Sequence, residues 1–95
     1  MRKAFGKKIV ELAENDDKII VIVCDIGFGV FDEFKQKFPD RFFNFGICEQ
    51  ATIGAASGMA LEGLKPYVYT ITPFLIERAF EQLKLDIDEQ RVNVK

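Results

Sequence analysis

Ninety-five residues with thirteen Lys or Arg against fifteen Asp or Glu carry a formal charge of −2, a balance that points to neither nucleic acid nor an anionic membrane. A hydrophobic content of 48%, ten phenylalanines among it, is enough for the core of one small domain and excludes a disordered chain. The absence of histidine removes Ser-His-Asp and Cys-His nucleophile activation and the commonest transition-metal ligand, leaving proton chemistry to a carboxylate, a lysine, a tyrosine or a bound cofactor.

In chain order, Phe5, Ile9 and Leu12 recur at helical spacing within Lys3–Glu14, which predicts an amphipathic first helix with Arg2, Lys3, Lys7 and Lys8 on its solvated face. Asn15, Asp16 and Asp17 end it in a turn. The run IIVIVC from Ile19 to Cys24 is apolar throughout and rich in β-branching, as in a strand buried on both faces of a parallel sheet. It falls far short of the roughly 20 residues that span a bilayer, and the charged opening residues are not those of a signal peptide. Asp25 follows at the strand's C-terminal end, then a loop with Gly27 and Gly29. That glycine pair lacks the third glycine of a dinucleotide fingerprint.

Val30, Phe31, Phe34 and Phe38 predict a second helix, stopped by Pro39 and Asp40. Phe42, Phe43 and Phe45 suit a half-buried strand, and Gly46 turns the chain out of it. A helix is then expected over Ile47–Glu62, ended by Gly63. Its middle is small, and Gly54 and Gly58, four apart on one face, would let another backbone come close. Glu49 sits in its first turn, where the helix dipole favours negative charge. Pro66–Ile71 reads as a third strand, with Thr72 as cap and Pro73 at the first position of the next helix. Ile76, Phe80, Leu83 and Ile87 form one stripe of that helix. Val92–Lys95 looks like the start of a fourth strand. The alternation of elements predicts an α/β fold with a parallel sheet in three α/β/α layers. Cys24 and Cys48 have no metal or redox spacing and read as reduced, buried thiols of a cytoplasmic protein.

FPDRFFNFGICEQ, together with ALEGLKPYVYT and PFLIERAFEQ, resembles the pyrimidine-binding domain of the transketolase family, nearly end to end. The Glu49-Gln50 pair is the most specific part of the match. That family uses thiamine diphosphate, and it includes deoxyxylulose-phosphate synthase and the β chains of 2-oxo-acid dehydrogenases. Related domains are longer, so the resemblance implies that residues 1–95 form a single, incomplete pyrimidine-binding domain: its first half, three strands plus a possible fourth. A sheet cut at that point exposes an unpaired edge, and self-association is expected.

The resemblance also assigns roles. Glu49 matches the glutamate that hydrogen-bonds a ring nitrogen of the cofactor's aminopyrimidine and favours the imino tautomer that takes the thiazolium proton. The residues alone read it as a carboxylate stabilising a helix N-terminus. Phe74 matches an aromatic residue that packs on the pyrimidine, against the plain alternative of a core phenylalanine. Some relatives place that aromatic one turn later, where this chain has Glu77. Asp25 matches an aspartate near the thiazolium or substrate, against a loop-capping aspartate. Arg78 is expected either to pair with Glu77 or Glu81 or to meet a substrate phosphate. No metal ligand is expected in this chain, because the Gly-Asp-Gly motif that holds Mg²⁺ or Ca²⁺ and the diphosphate belongs to another domain. The implied partner is thus a diphosphate-binding domain or subunit, and the implied reaction is transfer of two-carbon ketol units between sugar phosphates. Deoxyxylulose-phosphate synthesis, a 2-oxo-acid dehydrogenase β chain, or an inactive assembly module are the alternatives.

Overall fold

Five successive β-branched residues, Ile19–Val23, form strand β1, and every one of them is buried. Such a strand needs cover on both faces and neighbours on both edges, and it has all four. In the computed structural model, which describes residues 1–95, β1 lies between β2 (Phe42–Asn44) and β3 (Lys65–Tyr69), parallel to each. Val21 stands opposite Phe42 on one side and Tyr67 on the other.

The period-two alternation of β1 divides the core. Ile19, Val21 and Val23 face Ile9, Val10 and Ala13 of α1 (Arg2–Asn15), with Phe31 and with Phe34 of α2 (Asp32–Lys37). Ile20 and Ile22 face Ala56 and Met59 of α3 (Glu49–Leu61). This is the expected three-layer α/β/α arrangement. Full burial of side chains such as Phe34, Ile22 and Ile53 contributes roughly 1.5–3 kcal/mol each. The α2 crossover joins β1 to β2 over one face. The α3 crossover returns over the opposite face to β3, so both have the same hand.

The fourth strand is present only as its first rung. Lys95 donates its N–H to the Pro66 carbonyl (2.9 Å) and accepts the Val68 N–H (2.8 Å), the bonding pattern of a parallel neighbour on β3's free edge.

Several local expectations are corrected. Along α1 the buried stripe is Gly6, Ile9, Val10 and Ala13, while Phe5 and Leu12 are 37% and 39% exposed. The helix is rotated because Gly6 lies against the chain at Val30: a Cβ there would stand 2.2 Å from the Val30 carbonyl oxygen. In α3, no backbone approaches Gly54 or Gly58. A Cβ on Gly54 would meet only Asp86 Oδ2 at 3.7 Å, and one on Gly58 nothing within 4 Å. Cys48 is exposed; only Cys24 is a buried thiol, and both are free.

The single helix expected after Pro73 is broken into α4 (Thr72–Ile76), a turn over Glu77–Ala79, α5 (Phe80–Gln82) and a π-helical turn at Leu83–Asp88. Thr72 lies inside α4, and Ile71 is the cap residue, without a side-chain bond. The residue driven inward is Ala79, while Ile76 and Phe80 are 48% and 64% exposed. The cause lies on α3. Gln50 Nε2 donates to the Arg78 carbonyl (2.8 Å) and Ser57 Oγ to the Asp86 carbonyl (2.7 Å), and both compete with the regular helical ladder.

Candidate active site

The C-terminal ends of β1, β2 and β3 open onto Asp25, the Phe45–Glu49 segment and the Thr70–Phe74 segment. The connections after β1 and β3 leave toward opposite faces of the sheet, which makes a switch point between these adjacent strands. In open α/β sheets ligands bind at such a point.

Glu49 is the first residue of α3 and only 3% exposed. The hydroxyl of Thr70 donates to its Oε1 at 3.4 Å, and Arg78 Nη1 lies 3.5 Å from its Oε2. No side chain caps the helix, so the positive end of the helix dipole adds its support. Charge-assisted hydrogen bonds to a carboxylate normally measure about 2.7–2.9 Å. Both contacts are far longer than that, and a buried carboxylate is costly unless well paired. Glu49 therefore retains unused accepting capacity. It faces a depression of about 280 Å³ lined by Ile47, Glu49, Gln50 and Arg78.

Phe74, half-buried in α4, is tied to Glu49 through Arg78, whose guanidinium carbon sits 3.7 Å from the Phe74 ring centroid. The expected pairing of Arg78 with Glu77 or Glu81 is thus replaced by Glu49. The i, i+4 spacing from Phe74 makes the stacking readable in sequence; the contact with Glu49 spans the fold and left no local signal.

Asp25 is exposed and takes the left-handed conformation, φ 52°, which non-glycine residues rarely adopt. It is held there by Asn44, the last residue of β2. Asn44 Oδ1 accepts the Asp25 N–H (2.9 Å) and the Gly46 N–H (3.0 Å), while Asn44 Nδ2 donates to Asp25 Oδ1 (3.3 Å). Asp25 meets Asn44 and is not brought against Glu49 or Phe74. Sequence reasoning passed over Asn44, although an Asn before a glycine turn is a recognisable side-chain-to-backbone pattern.

Beneath Glu49, the Cys24 thiol donates to Thr52 Oγ1 (3.4 Å), and the Thr52 hydroxyl donates to the Cys48 carbonyl (2.9 Å). Burial pushes the Cys24 thiol above its ordinary range, and the negative charge of Glu49 adds to that direction. No three His, Cys, Asp or Glu side chains converge as metal ligands do. The largest depression, about 530 Å³, lies at the opposite end of the sheet among Lys8, Glu11, Asp16 and Lys65. Half of its lining is charged and most of it exposed, and it lacks a buried polar group aimed inward, so we place the site at Glu49.

A chain of this architecture, with a buried carboxylate opening the helix after its second strand, matches one family model along its whole length. That model is the transketolase pyrimidine-binding domain, residues 1–95, and the chain belongs to this family. It is similar to 1-deoxy-D-xylulose-5-phosphate synthase of Clostridium perfringens, 43% identical over 91 residues, and of Aquifex aeolicus, 45% identical over 92 residues. Each match covers 95% of this chain and 14% of the relative. Among solved structures it is similar to a chain described as split gene transketolase, inactive β4 tetramer, with a TM-score of 0.89 and 38% identity. The match covers 98% of this chain and 31% of that one. The chain thus spans a small part of the proteins it matches.

Thiamine diphosphate use runs with this family, and the residues present fit the pyrimidine half of that cofactor. An aminopyrimidine needs a carboxyl group with free bonding capacity and an apolar face to lie on. Glu49 supplies the first, and the Phe74 ring, now covered by a flat guanidinium, supplies the second. The exposed lining at Glu49 holds one cation, Arg78, and no cluster that would grip a diphosphate.

Proposed function

We propose that the chain is the pyrimidine-binding portion of a thiamine-diphosphate-dependent, transketolase-like enzyme that transfers two-carbon ketol units between sugar phosphates. The observation that carries this reading is Glu49: a carboxylate 3% exposed, opening a helix, whose two contacts are both long. When bound, the cofactor supplies a carbon nucleophile at its thiazolium. This chain's part is to hold its other ring. Glu49 shares a proton with a ring nitrogen, the dry surroundings making a shared proton worth more than it is in water. Phe74 packs on the ring, an arrangement worth about 1 kcal/mol beyond burial. Asp25, fixed by Asn44, borders the thiazolium end or the substrate.

A diphosphate-binding domain or subunit completes the site and carries the Mg²⁺ or Ca²⁺. A homo-oligomer is also proposed, supported by the tetramer described for the similar split-gene chain. The sugar-phosphate substrate and a cytoplasmic setting complete the reading; no helix is long and apolar enough to cross a membrane. Identities of 43% and 45% to deoxyxylulose-phosphate synthases favour that synthesis as the second reading.

The test is calorimetric titration of thiamine diphosphate into the chain alone and with its diphosphate-binding partner, followed by assays of both reactions. Tight binding and ketol transfer only with the partner support the proposal. Micromolar binding by this chain alone contradicts the partner's role, and deoxyxylulose phosphate as product selects the second reading.

A further inference from the structure

We propose that Arg78 is a resident occupant of the pyrimidine slot. In the cofactor-free protein its guanidinium fills the space between Phe74 and Glu49, and the cofactor's ring must displace it. This inference rests on the proposed role of Glu49 and Phe74.

The guanidinium has the features that the slot selects for. It is flat, it lies 3.7 Å from the centroid of the Phe74 ring, and it directs Nη1 toward Glu49 Oε2 at 3.5 Å. A planar nitrogenous group stacked on an aromatic ring and turned toward a carboxylate is what an aminopyrimidine would be in the same place. The two compete for one place, since the ring would lie on the Phe74 face that Arg78 covers and meet the Glu49 oxygen that Arg78 points to.

The backbone around Arg78 is fixed while its side chain is free to leave. Gln50 Nε2 holds the Arg78 carbonyl at 2.8 Å, and the next residue, Ala79, is fully buried. The side chain itself is 47% exposed and its ion pair is long. Glu81, an exposed carboxylate of α5 three residues beyond Arg78 in the preceding turn, offers a partner once Arg78 swings out. Occupancy also serves Glu49. With Arg78 in place the buried carboxylate has a counter-charge, and it gives that up only when a ring nitrogen arrives to replace it.

The block is shallow. A long ion pair with one buried and one half-exposed partner, and a cation–π contact, together lower the open population several-fold, and the apparent dissociation constant rises by the same factor. In the complete enzyme, with the diphosphate-binding partner present, Arg78→Ala should bind thiamine diphosphate about fivefold tighter than wild type at low salt by this arithmetic. The advantage should shrink as salt screens the Arg78–Glu49 pair. Arg78→Lys, which keeps the charge and loses the flat stack, should recover part of the gain and stands in if the alanine variant folds poorly. A second readout needs no turnover. The Arg78 Nε–H resonance should be shifted by the Phe74 ring current without cofactor and should move when cofactor saturates the site.

Unchanged or weaker binding in both variants, or an Arg78 resonance unmoved by cofactor, overturns the inference. Phe74→Ala and Glu49→Gln separate the two claims. If either weakens cofactor binding or turnover while the Arg78 variants do not tighten it, Arg78 alone is misassigned. If both leave binding and turnover intact, the slot itself is wrong and the inference falls with it.

Discussion

Replacing Gly6 by alanine tests whether the loop that carries Asp25 is braced by α1. Alanine is the better helix former by about 1 kcal/mol, so on an unobstructed helix the change would stabilise. Here the new Cβ would lie 2.2 Å from the Val30 carbonyl oxygen, about 1 Å inside ordinary contact. The obstacle is backbone at the end of the Asp25–Val30 loop, which cannot rotate aside as a side chain can. Either α1 tilts off Ile19, Val21 and Val23 or the loop moves. Overpacking of that kind costs about 1–3 kcal/mol, and severe backbone contact places it at the upper end, leaving a net loss of about 2 kcal/mol after the helix gain. For a chain of this size a loss of 1 kcal/mol lowers Tm by about 4–8 °C, so Gly6→Ala should melt roughly 8–16 °C lower. Gly58→Ala in α3, where a Cβ meets nothing within 4 Å, is the matched control and should melt a few degrees higher. Thermal melts followed by circular dichroism measure both. A Gly6→Ala protein as stable as Gly58→Ala would refute the close packing of α1 on Val30.

Asn44→Ala should lose about 1–3 kcal/mol in chemical denaturation, because the Asp25 and Gly46 N–H groups lose their shared acceptor; a neutral result would mean water replaces the carboxamide. In the complete enzyme Phe74→Ala should weaken thiamine diphosphate severalfold by calorimetry, and unchanged affinity would make Phe74 a plain packing residue. Maleimide at neutral pH should modify exposed Cys48 and spare Cys24, as mass spectrometry of digested protein would show; equal labelling would contradict the burial of Cys24. The raised pKa of Cys24 means the folded state keeps the proton longer than the unfolded chain does. Its stabilisation is fully present below the ordinary value of 9.0 and is lost as pH rises from there toward the folded pKa. Cys24→Ala should flatten that alkaline slope, and an unaltered slope would assign it elsewhere.

The parts of the fold that were legible are those where one physical demand acts alone. Ile19–Val23 can satisfy its all-apolar pattern only as a central strand, and the glycine turn at Gly46 followed by Glu49 marks the opening of α3. Where two elements compete for the same groups, local reading failed. The segment after Pro73 has a sound helical stripe, yet Gln50 and Ser57 on α3 take two of its carbonyls and break it. Gly6 beside Val30 rotates α1 by one position, which placed Phe5 and Leu12 on the wrong side of the boundary. At the site, the position of Glu49 was readable from its helix, while its pairing with Arg78 depends on how α4 and α3 meet, which no spacing within either element encodes.

The central claim is that Glu49 activates the cofactor rather than merely steadying α3. The direct measurement is the rate at which the thiazolium C2 proton of enzyme-bound thiamine diphosphate exchanges with deuterated water, compared between the complete wild-type enzyme and Glu49→Gln. The account predicts a fall of about 10²–10⁴-fold, the usual scale of a lost proton-transfer partner, with the melting temperature unchanged or slightly raised. Equal exchange rates in two equally folded, cofactor-saturated proteins would contradict it.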